Sequence, residues 1–220
     1  MIVVACLEAP APSRASRTAL DLAAALASQA QVIALCAGGP PGSPSLALAA
    51  SCAAVSRVLH IDDPVLAGAD VLTLGSVLAQ AVRFLGAGLV VAGDRSEDEG
   101  QGLVPAALAH HWGVPLLSRV QAVALPEVDT VQVTVRSGGQ LATLSCVPPL
   151  VLSTPPAAAI RELTMGASRA PEALPLAQLG LDASRLVPRP DLVGTLVPGT
   201  AELAAAMTWE EFPSALTRHR

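Results

Sequence analysis

Tyrosine is missing from this chain, and two tryptophans and two phenylalanines are its only large aromatic residues. That scarcity removes the stacking platforms with which proteins hold single-stranded nucleic acid. Positive charge is short as well: 13 Lys and Arg stand against 18 Asp and Glu, a net charge of -5. No broad basic surface for a phosphate backbone can be assembled from that balance. Long unbroken apolar runs are absent despite a mean hydropathy of +0.54. A membrane-spanning helix needs about 20 consecutive apolar residues. Here the richest stretches are broken by Asp21, by Gln29 and Gln31, or by glycines and prolines. The opening "MIVVACLEAP" lacks the basic flank of a leader peptide and reads as a first strand. Cysteine is sparse too. Cys6, Cys36, Cys52 and Cys146 follow no metal or CxxC spacing, so they are expected as small buried groups in a reducing cytoplasm.

What the chain does have is apolar volume. Hydrophobic residues make up 52% of its 220 positions, enough for a sizeable core. Much of that count is alanine, which predicts closely packed helices. Over the first 115 residues, buried strands alternate with helices. Ile2–Cys6, Gln31–Ala37, Arg57–Ile61 and Leu89–Ala92 are apolar runs of strand length. Between them, Ser16–Ala27 (with Ser16 as its N-cap), Ser45–Val55 and Val71–Leu85 carry helical spacing, and Val104–Trp112 follows the last strand. Such alternation predicts an α/β fold, a mostly parallel sheet with helices on both faces. After Pro115 the pattern changes. "TVQVTVRSGGQLATLSC" predicts a β-hairpin turning at Gly138-Gly139, and "PLVLST" a further strand. The reading places a nucleotide-binding α/β domain, hairpin included, at residues 1–154. Residues 155–220 become a Pro- and Ala-rich arm for a partner chain, closing with a helix over Ala201–Leu216.

The stretch with the most chemistry is "VVAGDRSEDEGQGLVPAALAHHWGVP", residues 90–115. It lies at the carboxyl end of a strand, where open α/β sheets bind ligands. Gly100 and Gly102 permit positive φ and close backbone approach. Pro105 suits the first turn of a helix, whose free N–H groups favour a phosphate. Asp98 can accept a hydrogen bond from a ribose hydroxyl. The competing reading is a solvated acidic turn, since Glu97, Asp98 and Glu99 repel phosphate unless they point away. Neither G-x-x-x-x-G-K-[ST] nor a G-x-G-x-x-G helix opening occurs, so ATPase chemistry has no support. His110 and His111 are adjacent on a helix, about 100° apart, and cannot readily chelate one ion. His60 and His219 are isolated, and no serine sits in a G-x-S-x-G setting. No catalytic constellation emerges.

Several segments, taken in order, resemble the β subunit of electron transfer flavoproteins, also called the FixA-type family. They are "AGDRSEDEGQGLVPAALAHHWGVP", "VRSGGQLATLSCVPPLVLST", "IRELTMGASRA" and "LAQLGLDASRL", with a closing helix. The resemblance implies a sheet of the adenine nucleotide alpha hydrolase type and an electron carrier rather than an enzyme. It implies a heterodimer with a flavin-bearing α subunit, docking to flavin dehydrogenases. AMP would be held in this subunit, or FAD in a minority class, with further FAD held by the α subunit. Carried over by position, the nucleotide contacts fall on Ala5, Ala37 and a loop. That loop comprises Gly93, Asp94, Arg95, Ser96, Glu97, Asp98, Glu99, Gly100, Gln101, Gly102, Leu103 and Val104. Ile160 and Arg169 fall on the segment that docks a dehydrogenase. The chain departs from the family after the first strand. "EAPAPSRASRTALD" is short, Ser13-Arg14 stand where the family has Asn-Pro, and Leu7-Glu8 replace Lys-Arg. Two other readings stay open: a stand-alone adenine-nucleotide sensor, similar in sheet order to universal stress proteins, and a nucleotide-free scaffold subunit.

Overall fold

The structure is a computed structural model and describes residues 1–95, 102–156 and 163–186. Ser96 to Gln101, Ile160 and the expected C-terminal helix lie outside them. The chain opens with β1 (Ile2–Leu7), α1 (Arg14–Ala24), β2 (Gln31–Ala37), α2 (Pro44–Ser51) and β3 (Val55–Ile61). It continues with α3 (Val71–Phe84), β4 (Leu89–Gly93), α4 (Val104–Trp112) and the short β5 (Leu116–Leu117). An antiparallel unit follows, β6 (Val120–Glu127), β7 (Thr130–Ser137) and β8 (Gln140–Cys146), and then β9 (Leu150–Thr154) and β10 (Glu172–Ala173).

Seven strands form one sheet in the order β10-β3-β2-β1-β4-β9-β5, every pairing parallel. The strands are apolar almost throughout because both faces are covered. Val3, Ala5 and Leu7 of β1 pack with Ala19, Leu20 and Ala23 of α1 and Leu46 and Ala49 of α2. Val4 and Cys6 point the other way, to Val77, Leu78 and Val82 of α3 and Leu108 of α4. Each fully buried leucine or valine of this kind contributes about 1.5–3 kcal/mol relative to exposure. Burial holds the Cys6 thiol up at about 12, with nearby Cys36 adding to the shift, and Cys36 also at about 12. Neither is a reactive thiolate.

Helix ends differ most from the sequence expectation in three places. The N-cap of α1 is Ser13, not Ser16: its Oγ accepts the Ser16 N–H at 3.1 Å. Ser16 is inside the helix, and its hydroxyl accepts the Glu8 N–H at 3.2 Å. The same helix stops at Ala24, and turns carry the chain from there to β2. Helix α2 ends at Ser51 rather than Val55, because Cys52 is extended, bridges to Met165, and Ala53 N–H donates to the Thr164 carbonyl. The hairpin is present as β7 and β8, and β6 joins it as an unforeseen third strand. Alanines and Pro126 within β6 hid its alternation.

Residues 163–186 contain no α-helix or long strand, only two short 3-10 turns at Leu176–Leu179 and Ala183–Arg185, and this chain itself holds them. Glu172–Ala173 extend the parallel sheet beside β3, and Leu174, Leu176 and Leu179 are buried against the α3 face. Arg57 of β3 clasps Glu172 with two donors, the shorter contact 2.6 Å. That pair is exposed and contributes little by itself; the three leucines anchor the segment.

Candidate nucleotide-binding site

The strand order reverses at β1. From β1 the chain moves outward through α1, β2, α2 and β3, then returns through α3 to β4 on the other side of β1. The crevice beyond the carboxyl ends of β1 and β4 is therefore the topological switch point, where open α/β sheets take their ligands.

Gly93 closes β4 and permits an unusually close helix. A Cβ there would lie 2.9 Å from the Ala15 carbonyl carbon and side chain and from the Ser16 nitrogen. The first turn of α1 thus rests directly on the end of β4. Asp94 follows, its N–H donating to the Thr154 carbonyl of β9 at 2.9 Å. Across the crevice, the Ser13 hydroxyl lies 3.3 Å from the Arg95 carbonyl and 3.1 Å from Ser16 Oγ. The loop returns at Gly102, which has φ +59, and a Cβ at Gly102 would fall 1.7 Å from the Asp94 carbonyl oxygen. Only glycine fits there, so the start of α4 is delivered against the end of β4. Helix α4 begins without a side-chain cap and with proline in its first turn, leaving main-chain N–H groups for an anion.

Two polar side-chain atoms in this region have no hydrogen-bond partner among the described residues. Asp94 Oδ1 is buried with no hydrogen bond, and burial raises its carboxyl above the ordinary value, against the opposing pull of Arg95 and Arg119. The Ser43 hydroxyl, just after the β2 loop, is likewise buried and unmatched. Asp94 suits a hydroxyl donor such as a ribose rather than a phosphate, which its charge would repel.

The short loop after β1 is seated on its neighbours. Ser45 Oγ donates to the Glu8 carbonyl, and Ser45 N–H donates to the Pro10 carbonyl at 3.2 Å. Gly39 abuts Ala9, where a Cβ would come within 2.8 Å of the alanine side chain. Of the expected contact positions, Gly93, Asp94, Arg95, Gly102, Leu103 and Val104 gather at the crevice. Ala37 lies at the end of β2 on the same edge. Ala5 is fully buried inside β1, beneath α1. Arg169 lies elsewhere: its side chain donates to the Cys52 carbonyl at 3.3 Å, and its N–H to the Ala50 carbonyl at 3.0 Å. Sequence reasoning missed Ser13, Ser16, Ser43 and Ser45. The clue was their place at the caps and first turns of the two helices that follow parallel strands.

Residues 4–173 match the family model described as the electron transfer flavoprotein domain. The chain belongs to this family. Among curated proteins, it is similar to the electron transfer flavoprotein subunit beta of Mycobacterium leprae, 34% identical over 70 residues. The proteins of the same name from Mycobacterium bovis and Mycobacterium tuberculosis are 36% identical over 70 residues. In each case the match covers 31% of this chain and 26% of the relative. The chain thus spans about a quarter of the length of these relatives. Within the electron transfer flavoprotein domain, the described residues include no helix long and apolar enough to cross a membrane. They also gather no group of three or more metal-ligating side chains. His110 and His111 meet edge-on with ring centres 5.4 Å apart at the end of α4.

Proposed function

We propose that this chain is the β-type subunit of a heterodimeric electron transfer flavoprotein, and that its switch-point crevice holds AMP. On this reading it is an electron carrier subunit, not a catalyst of bond making. It completes a flavin-bearing α subunit and so helps pass electrons from flavin dehydrogenases to an acceptor. The observation that carries the reading is the family match over residues 4–173, on a chain whose β4 and α4 converge through Gly93 and Gly102. The residues present fit an adenylate. Uncapped α4 amides suit the phosphate, and the unmatched Asp94 carboxylate oxygen suits a ribose hydroxyl. FAD in the same crevice would place its adenylate half on these groups, and the flavin would then supply the redox chemistry.

A second reading, a nucleotide-free scaffold subunit, is favoured by the Ala9-Pro10 loop lying on Gly39 and held by Ser45. Mass spectrometry of the small molecules released on denaturing the purified complex separates the two. AMP at one per β-type chain, with one FAD per heterodimer, is the expected result. Two FAD per heterodimer and no AMP would place the chain in the electron-splitting class. A complex that carries FAD but releases no second nucleotide would overturn the crevice reading.

A further inference from the structure

The end of β4 carries a carboxylate on a backbone that the fold holds still. Three contacts fix the main chain around Asp94. Its N–H donates to the Thr154 carbonyl of β9 at 2.9 Å. Gly93 before it lies against the first turn of α1 with no room for a Cβ, and Gly102 meets the Asp94 carbonyl oxygen from the other side. Thr154 is tied down in turn, its hydroxyl donating to the Val120 carbonyl at 3.0 Å. The carboxylate therefore starts from a fixed point at the crevice. Its Oδ1 is buried and has no hydrogen-bond partner among the described residues.

Nearby charge does not satisfy that oxygen. Burial raises the Asp94 carboxyl, and the opposing pull of Arg95 and Arg119 does not cancel the rise. Neither guanidinium gives Oδ1 a hydrogen bond. An ionised carboxylate accepts hydrogen bonds and cannot donate them. The partner it lacks is an N–H or O–H brought by a ligand.

The same crevice makes the opposite demand close by. Helix α4 starts without a side-chain cap and with Pro105 in its first turn, so its main-chain N–H groups favour an anion. Gly102 sets that helix start against the Asp94 carbonyl. A ligand that suits both groups carries an anion at one end and a hydroxyl donor a few atoms away. A nucleoside 5′-monophosphate is built that way, with phosphate on one side of the ribose and hydroxyls on the other. A phosphate moved onto the ring hydroxyls would face the carboxylate. With the hydroxyls removed, Oδ1 would stay buried and unmatched.

We propose that Asp94 determines the specificity of the crevice by accepting a hydrogen bond from a ribose hydroxyl. It thereby selects 5′-ribonucleotides with an unsubstituted ribose over their deoxy and ring-phosphorylated relatives. A hydrogen bond from a hydroxyl to a carboxylate is charge-assisted and strong. A site built around such a bond rejects the analogue that lacks the hydroxyl, because its own buried group is then left unpaired. The inference rests on the adenylate reading and adds to it the discriminating residue and the ligands refused.

The test uses the full chain in complex with its flavin-bearing companion subunit from the same organism, freed of bound nucleotide and titrated by calorimetry. Three probes are compared: AMP, 2′,3′-dideoxy-AMP and adenosine 3′,5′-bisphosphate. The parent should bind AMP at least about tenfold tighter than either of the other two. Asp94→Ala should reduce both ratios to less than about threefold. Asp94→Asn keeps an acceptor and removes the charge. It should retain the preference over the dideoxy form and lose most of the preference over the bisphosphate. A merely structural role would weaken all three probes alike and leave the ratios unchanged. The parent's own ratios are read without any variant, so the inference stays open to refutation even if a variant fails to fold. Equal parent affinity for AMP and either analogue overturns the inference and leaves the adenylate reading standing. Ratios that survive Asp94→Ala overturn it as well. A parent complex that binds none of the three probes overturns both readings together.

Discussion

In the parallel sheet, β9 is buried at every position and β4 at all but its closing glycine; in the antiparallel sheet, β8 is exposed at six of seven. Both regions are written in similar residues, Val, Leu, Ala, Thr and Ser. The difference is cover. Helices lie on both faces of the parallel strands, so apolar side chains on either face are removed from water. Among the described residues, the antiparallel sheet has cover where β6 and β7 reach the α1 side. Beyond that, the same kind of residue is left facing solvent. Apolar burial is concentrated in the first sheet, while β8 of the second leaves its side chains exposed among the described residues.

Truncation should separate the two regions most sharply. Leu89→Ala in β4 removes a side chain that is fully buried among those of its core cluster. It should cost about 2–5 kcal/mol in urea unfolding. Leu141→Ala, on a side chain 59% exposed in β8, should stay within about 0.5 kcal/mol. Equal losses at the two sites would erase the distinction.

A smaller effect is expected where the parallel sheet meets its crevice. Gly102→Val asks a β-branched residue to take positive φ and drives its Cβ into the Asp94 carbonyl. A loss of about 1–3 kcal/mol should follow, with AMP no longer co-purifying while the circular dichroism of the sheet is retained. Undiminished AMP in that variant would count against the crevice. Ser13→Ala removes the cap of α1 and should cost about 1 kcal/mol, again without change at β8.

The smallest effect is a pH dependence. Burial raises the folded-state pKa of Asp94 above its ordinary 3.8. A raised carboxyl favours the folded state below the unfolded pKa, and that contribution is lost as pH rises through the folded value. Asp94→Asn removes the loss. Its unfolding midpoint relative to the parent should therefore be higher at about pH 7 than at about pH 4. The opposite trend would mean that Arg95 and Arg119 outweigh burial.

Much of the parallel sheet was legible in advance. Gln31–Ala37 and Val104–Trp112 have the limits that continuous apolar runs and helical spacing assign them. Helix ends were less legible, because a cap depends on which serine faces the free N–H groups. Ser13 and Ser16 are equally good on paper, and the contact with Gly93 selects Ser13. The crevice was located by its strand-end position and its glycines. Its serines were not, since Ser43 and Ser45 meet it only once β2 is laid beside β1.

The sequence alone determined the alternation of buried strands and helices and the hairpin at Gly138-Gly139. These follow from local periodicity and turn chemistry. Only the tertiary structure decided that β1 borders β4, that Gly102 meets Asp94, that Leu174 and Leu176 return to the α3 face, and that β8, among the described residues, pairs on one side only. Each depends on contacts between residues far apart along the chain, and no local pattern encodes which distant surface will be available.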